Sequence, residues 1–430
     1  MIAGDWQTAP RRHRLASSAA APERLRILTI AARPFYPPDT GGRIRSSQIF
    51  ERLAQKHHVT LLCFTTAEDR PEDVERMRAC CSDLETIAWA ETAKFTPRFY
   101  AELAASLLSS LPYTVLKYRS STMRRRIKAQ LATGAYDLLV CDFLQPSVNC
   151  IDEPFKPKAL FQHNVEAVIQ ARQAMHATNP PARAYLRLEA AKLAQYERRA
   201  SQAFDRCIMV SDEDCRTMQT EYGARNVVAI PTGVDLDYFT PAADGAEPDI
   251  VFVGSMDWLP NQDAVTYFVS EILPRIRRVV PATFTIVGRN PPEAVRRLAA
   301  MAHVRVTGTV EDVRPFVARA QVCVVPLRTG GGTRIKIFEA MAMGKSIVST
   351  SVGAEGLPVT HGRDILLADD PDAFATHVIQ LLQQPETRRR LRDAGRRLVM
   401  SRFTWDAATT RFSEVCLEIV RERKLSRGVV

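Results

Sequence analysis

Short runs of apolar residues recur along the whole chain, separated by longer amphipathic stretches. In the first half the runs are RILTIAA (26–32), HVTLLCF (58–64), DLLVCDF (137–143), KALFQHN (158–164), RCIMVS (206–211) and VVAIPTG (227–233). In the second half they are DIVFVG (249–254), TFTIVG (283–288), VRVTG (304–308), VCVVPL (322–327) and SIVST (346–350). A strand that is apolar on both faces is covered by helices on both sides, which is the pattern of a parallel sheet. Two such series in succession predict an α/β protein with two doubly wound, Rossmann-like domains.

The series are separated by DYFTPAADGAEPD (237–249), polar and rich in Pro, Gly and Ala. The predicted organisation is a disordered tail at 1–23, an N-terminal domain at 24–236, a linker at 237–248 and a C-terminal domain at 249–405. A closing helix at 406–430 is expected to pack back towards the first domain. The tail carries basic residues but no apolar core of signal-peptide length. No apolar run reaches the roughly 18 to 20 residues that span a bilayer. The chain is expected to be soluble or peripheral, in the cytoplasm or on the inner face of the cytoplasmic membrane.

A formal net charge of +10 suits either an anionic partner or a solvated basic surface. No nucleic-acid recognition motif accompanies it, so no nucleic-acid partner is expected. The nine cysteines show neither a CxxC pair nor a zinc-like spacing, which suits a reducing cytosol without disulfides or a metal.

The densest chemistry lies in TGGGTRIKIFEAMAMGKSIVST (329–350). VCVVPL ends as a strand, and helical periodicity starts near Thr333, so three glycines occupy a strand-to-helix turn. Ligands of open parallel sheets sit at the carboxyl ends of the strands. Glycines let the backbone come close, and a helix N-terminus offers unpaired N–H groups. Arg334 and Lys336 add positive charge at an end where cations are normally unfavourable, a conflict that a bound diphosphate would resolve. Lys336 and Glu339, three residues apart, are alternatively an ordinary surface pair.

GGGTRIKIFEAMAMGKSIVSTSVGAEGL resembles the donor-site region of the retaining, GT-B-fold glycosyltransferases of family 4. VFVGSMDWLPNQDAVTYF is similar to the opening of that family's C-terminal domain, and VVAIPTGVDLDYFTP to its interdomain signature. PPDTGGRIR and FQHNVEA are similar to two N-domain loops that face the cleft. The resemblance spans about residues 25 to 410. It implies two Rossmann-like domains facing across a cleft, a UDP- or GDP-linked nucleotide-sugar co-substrate, no resident cofactor and no required metal. The acceptor it implies is a glycan or a lipid-linked molecule in cell-envelope polysaccharide or glycolipid biosynthesis.

By the same resemblance Glu339 takes the ribose hydroxyls, while Arg334, Lys336, Gly331, Gly332 and Thr333 surround the diphosphate and sugar. Gly254 opens the C-domain part of the donor site, and Gly41 and Gly42 approach the phosphates from across the cleft. His163 contacts the transferred sugar. Glu166 either orients His163 or caps a helix. Arg45 is assigned to sugar or acceptor, and Asp257 and Asn261 either touch the sugar or cap the following helix. Two departures stand out. Gly331 replaces a second family glutamate, and GSMDWLPNQ (254–262) lacks the usual Arg and Lys, a charge that Arg334 and Lys336 would supply. A nucleotide-sugar epimerase of the same fold and a non-catalytic nucleotide-sugar binder are the competing readings. Finally, residues 94–128 hold eight Lys or Arg against one acid, mixed with Phe, Tyr and Leu. That mixture suits peripheral contact with an anionic membrane, or else one helix that buries LAASLL and exposes its arginines.

Overall fold

The structure, a computed structural model, describes residues 23–93, 95–177, 179–329, 335–426 and 428. Most of the expected tail therefore lies outside the described residues. Its last residue, Glu23, pairs with Lys424 at 3.0 Å.

Two wholly parallel sheets form the core. The first contains β1 (Arg26–Ala31), β2 (His58–Thr65), β3 (Asp83–Ala88), β4 (Leu138–Asp142), β5 (Lys158–Phe161), β6 (Arg206–Met209) and β7 (Val227–Ala229). Their order is β3-β2-β1-β4-β5-β6-β7. The second contains β8 (Asp249–Val253), β9 (Thr283–Val287), β10 (Val304–Val306), β11 (Val322–Val325), β12 (Ser346–Ser349) and β13 (Leu366–Leu367). Their order is β10-β9-β8-β11-β12-β13. The chain order reverses between β1 and β4 in one sheet and between β8 and β11 in the other. Those reversal points open the crevices in which doubly wound sheets hold ligands.

The eleven apolar runs all become strands, and two further strands appear at sheet edges. β3 buries only Leu84 and Ile87, while Asp83, Thr86 and Ala88 are exposed, so it carries no continuous apolar run. β13 is two residues long and too short to show a pattern.

The linker is tied down rather than loose. Lys345, fully buried, donates to Asp244 (2.9 Å) and to the Ala318 carbonyl (2.7 Å), and Arg388 pairs with the other Asp244 oxygen at 2.9 Å. After the second sheet the chain returns. The helix Trp405–Ser426 lies on the helix Gly41–Lys56 and shares its core, with Phe412 centred 5.0 Å from Phe161 and 6.0 Å from Phe50. Trp405, Phe412, Val415, Ile419 and Val420 are all buried there, each contributing about 1.5 to 3 kcal/mol of apolar transfer. The two passages between domains run side by side. The Val234 N–H donates to the Phe403 carbonyl at 2.8 Å. A Cβ on Gly233 would lie 2.5 Å from the Trp405 nitrogen, so only glycine permits that approach.

Candidate active site

At the first crevice, the helix Gly41–Lys56 starts from Thr40, whose hydroxyl accepts from the Arg43 N–H. Its buried Ser46 donates to Asp142 Oδ2 (2.8 Å) at the end of β4. Asp142 Oδ1 is 2.8 Å from His163 Nε2, just past β5. Adjacent strands thus bring together three residues that are far apart in sequence. The imidazole stacks on Phe143 with centroids 3.9 Å apart, and a Cβ on Gly42 would lie 2.5 Å from the Phe143 ring. Gly42 therefore makes room for Phe143, a reason independent of phosphate. Phe143 itself sits at a left-handed φ of 70°. Burial lowers the His163 pKa, against the pull of Asp142.

Two expectations change here. Arg45 is 1% exposed and donates to the carbonyls of Gln162 (2.8 Å), Met209 (3.2 Å) and Ile230 (2.6 Å), with Phe161 stacked 4.3 Å away. It ties together the ends of three strands beneath the crevice instead of reaching sugar or acceptor. Burial depresses its guanidinium to about 9. Glu166, for its part, neither orients His163, which Asp142 does, nor caps the helix that it begins. Its carboxylate accepts from Asn164 at 3.3 Å, and burial raises its pKa. The amides of Glu166 and Ala167 go to Glu197 (3.1 and 3.2 Å), which also accepts from Gln162 at 2.7 Å. Glu197 thus fixes the loop that carries His163. Burial and the neighbouring Glu166 push its carboxyl up to about 8.

Across the cleft, the helix Ile335–Ala342 presents Lys336 and Glu339. Lys336 Nζ donates to Asn261 Oδ1 (3.0 Å) and lies 4.3 Å from the Phe252 ring. A Cβ on Gly254 would come within 2.7 Å of that ammonium, so the glycine leaves the space that Lys336 fills. Asn261 is 4% exposed and also donates to the Ser255 carbonyl at 2.7 Å. It positions Lys336, and the helix Leu259–Tyr267 is capped by no side chain. Burial pushes the Glu339 carboxyl up to about 7, with Lys336 pulling the other way. Gly331, Gly332, Thr333 and Arg334 lie outside the described residues.

A cation not expected from the sequence lies against the loop at 254–262. Arg289, after β9, pairs with Asp257 (3.2 Å) and donates to Ser255 Oγ (3.1 Å). Its Nη1 then crosses to Asp39, two residues before Gly41, at 2.8 Å. Asp257 is thereby engaged by protein rather than left open. Gly41 itself faces Ile335, to which an added Cβ would approach 3.7 Å. Next to the His163 loop, a cavity of about 280 Å³ lies between the domains, bordered by Asn164, Val165, Phe338 and Leu357. Arg172 and Glu355 close one side through a two-pronged ion pair at 2.7 and 2.6 Å. No group of three or more metal-ligating side chains occurs among the described residues.

Residues 47–238 match the family model described as Glycosyltransferase Family 4, and residues 247–384 the model described as Glycosyl transferases group 1. The two matches take in the second sheet and all of the first except β1. The chain belongs to the GT-B glycosyltransferases of the family 4 type. This glycosyltransferase is 20% identical over 370 residues to an uncharacterized 44.6 kDa protein in the cps region of Klebsiella pneumoniae, covering 82% of this chain and 90% of that one. It is 30% identical over 213 residues to the GDP-mannose-dependent alpha-(1-6)-phosphatidylinositol monomannoside mannosyltransferase of Mycolicibacterium smegmatis. That match covers 43% of this chain and 55% of the relative, little more than half its length. Among solved structures, sucrose-phosphate synthase from Thermosynechococcus elongatus superposes with a TM-score of 0.69 over 92% of this chain and 100% of its own, at 18% identity. That likeness is one of fold.

Proposed function

We propose that this glycosyltransferase moves a sugar from a UDP- or GDP-linked donor to a glycan or lipid-linked acceptor with retention of anomeric configuration. The observation that carries the proposal is one cleft with Lys336 and Glu339 on one wall and Gly41 and the His163 loop on the other. Glu339 accepts the ribose hydroxyls, since a carboxylate has acceptor capacity for both. Lys336, held by Asn261, neutralises the diphosphate as the glycosidic bond breaks, a preorganised charge that serves in place of a metal. His163 faces the transferred sugar. The name of the mycolicibacterial relative supports a nucleotide-linked donor and a lipid-borne acceptor.

The first test is a thermal-shift screen of UDP-, GDP- and ADP-sugars. A donor at 100 times its dissociation constant stabilises by about 2.7 kcal/mol. Donor turnover with an acceptor panel then separates the alternatives. An isomeric sugar nucleotide formed without acceptor would make the chain an epimerase, and binding without turnover would make it a binder. Lys336→Met should lower affinity for the nucleoside diphosphate about tenfold while leaving that for the nucleoside unchanged, a charged hydrogen bond being worth about 1.5 to 3 kcal/mol. Equal losses for both ligands would give Lys336 a structural role only.

The acceptor proposal extends to the membrane surface, but on different residues from those the sequence emphasised. Of the basic residues in 94–128, Arg98, Lys117, Arg126 and Lys128 pair with Glu102, Glu91, Glu85 and Glu153. Lys94 lies outside the described residues. Around the helix Pro97–Ser106, however, Phe95, Tyr100, Leu107 and Leu108 stand in solvent, Leu108 at 95% exposure. Exposed apolar side chains, with Arg119 and Arg125 also exposed within the same 94–128 segment, fit an anionic leaflet. No described helix is long and apolar enough to cross a membrane. The expected result is salt-sensitive co-sedimentation with anionic vesicles that is lost in Leu107→Ser/Leu108→Ser. Equal sedimentation of wild type and variant would remove this surface from the proposal.

A further inference from the structure

Two arginines from opposite walls of the cleft converge on one carboxylate. Arg43, in the first turn of the helix Gly41–Lys56, donates to Asp39 Oδ1 at 3.2 Å. Arg289, in the loop after β9, donates to Asp39 Oδ2 at 2.8 Å. All three side chains stay open to solvent, Arg43 at 23% exposure and the other two at 31%. The bridge adjoins the wall that carries Lys336. Arg289 is rooted on Ser255 Oγ at 3.1 Å. The Ser255 carbonyl accepts from Asn261 at 2.7 Å, and the other end of that amide holds Lys336 at 3.0 Å. Asp39 stands on the facing wall, two residues before Gly41, which lies against Ile335. The loop at 254–262 has no Arg or Lys of its own, so Arg289 is the cation that the fold brings to it.

We propose that Asp39 is an internal anion occupying a phosphate seat between Arg43 and Arg289, and that a phosphate of the nucleotide sugar enters by displacing it. This rests on the donor-site reading above. Carboxylate and phosphate offer a guanidinium the same pairs of acceptor oxygens, so the place that Asp39 fills also suits phosphate. Asp257 offsets the charge of Arg289 from its own wall, at 3.2 Å. Departure of Asp39 therefore leaves the two arginines with one net positive charge, next to Lys336. The first turn of the helix Gly41–Lys56 holds no acidic residue, and its N-terminal end favours the incoming anion. Apparent affinity is the intrinsic affinity reduced by the fraction of molecules in which the seat is open. Asp39 thus weakens donor binding, and its return to the arginines helps the nucleoside diphosphate to leave.

The test is titration calorimetry with UDP, GDP, their nucleosides and inorganic pyrophosphate. Asp39→Asn keeps the shape of the side chain and removes its charge. It should bind UDP or GDP about fivefold more tightly, the most that breaking a partly exposed ion pair returns, with uridine and guanosine unchanged. Arg289→Met should weaken UDP or GDP about tenfold. Adding Asp39→Asn to Arg289→Met should restore little, because the two residues act through one contact. Wild-type or weaker binding by a folded Asp39→Asn would overturn the proposal. So would a full fivefold gain that persists without Arg289, which would make Asp39 a distant charge rather than an occupant of the seat. Pyrophosphate bound with the same dependence on Asp39, by a protein that binds neither UDP nor GDP, would uphold the seat and overturn the donor-site reading instead.

Discussion

Affinity for the nucleotide sugar should fall tenfold or more in Glu339→Ala, with the fold intact. Glu339 lies on the helix Ile335–Ala342, whose packed face is formed by Ile335, Ile337, Phe338 and Met341, so truncating it removes a polar contact rather than core. A hydrogen bond to a charged group is worth about 1.5 to 3 kcal/mol, and about 1.4 kcal/mol is a factor of ten in affinity. The pH dependence makes the test sharper. The carboxyl titrates at about 7 in the free protein, and the form that accepts two hydroxyl protons is the carboxylate. Affinity should therefore weaken below pH 7, by up to about tenfold per unit, and level off above it.

Glu339→Gln should bind weakly and show no such slope. The native state raises this carboxyl above its ordinary 4.5 and so binds more protons than the unfolded chain between 4.5 and 7. Stability consequently falls as pH rises through that window, and Glu339→Gln should melt above the wild type at alkaline pH even as it loses ligand. Calorimetric titration from roughly pH 5.5 to 8.5 follows the first effect and thermal melts follow the second. A flat wild-type profile, or unaltered affinity in a folded variant, would take Glu339 out of the site.

Arg45→Met should destabilise the first domain by about 3 kcal/mol or more, whereas a sugar-contacting arginine could be lost with stability intact. Of its three carbonyl partners, Met209 also accepts from the Ile230 N–H at 2.9 Å. Gln162 and Ile230 accept from Arg45 and would be left buried without a donor, each at about 1 to 3 kcal/mol. For a domain of this size that is a drop in Tm of about 10 °C. The measurement is urea or thermal unfolding followed by a probe in the first domain, because two domains need not unfold in one step. A variant that melts like the wild type and cannot transfer sugar would return Arg45 to the cleft.

The contrast between Glu339 and Arg45 shows where the sequence was legible. Parallel strands buried on both faces are continuous apolar runs, so both sheets could be read directly, apart from the largely exposed edge strand β3 and the two-residue β13. The placing of Lys336 and Glu339 together on one helix could be read because their relation is local, three residues apart. Arg45 stands just as near a glycine loop, but its role depends on which side of the helix faces the strand ends, and that is set by tertiary packing. Asp142 and Ser46 are nearly a hundred residues apart and meet only because β4 lies beside β1. The signal available in the sequence was slight, an acidic residue closing the apolar run of DLLVCDF. Arg289 was hidden for the same reason, since its partners Ser255 and Asp257 in one loop and Asp39 in another are all remote from it in sequence.

The paired passages at Val234 and Phe403 bear on how the cleft can move. A single tether would let one domain swivel freely on the other, but two strands of chain bonded side by side resist torsion and leave bending as the soft direction. The line through Gly233 and Thr404 is then the hinge axis, and opening is a swing that spreads the walls most at the point farthest from it. The same double tether means that the chain cannot be divided at the linker into two self-sufficient halves. The first domain would lose the helix Trp405–Ser426 that completes its core, and the severed piece would carry that helix with its apolar face uncovered.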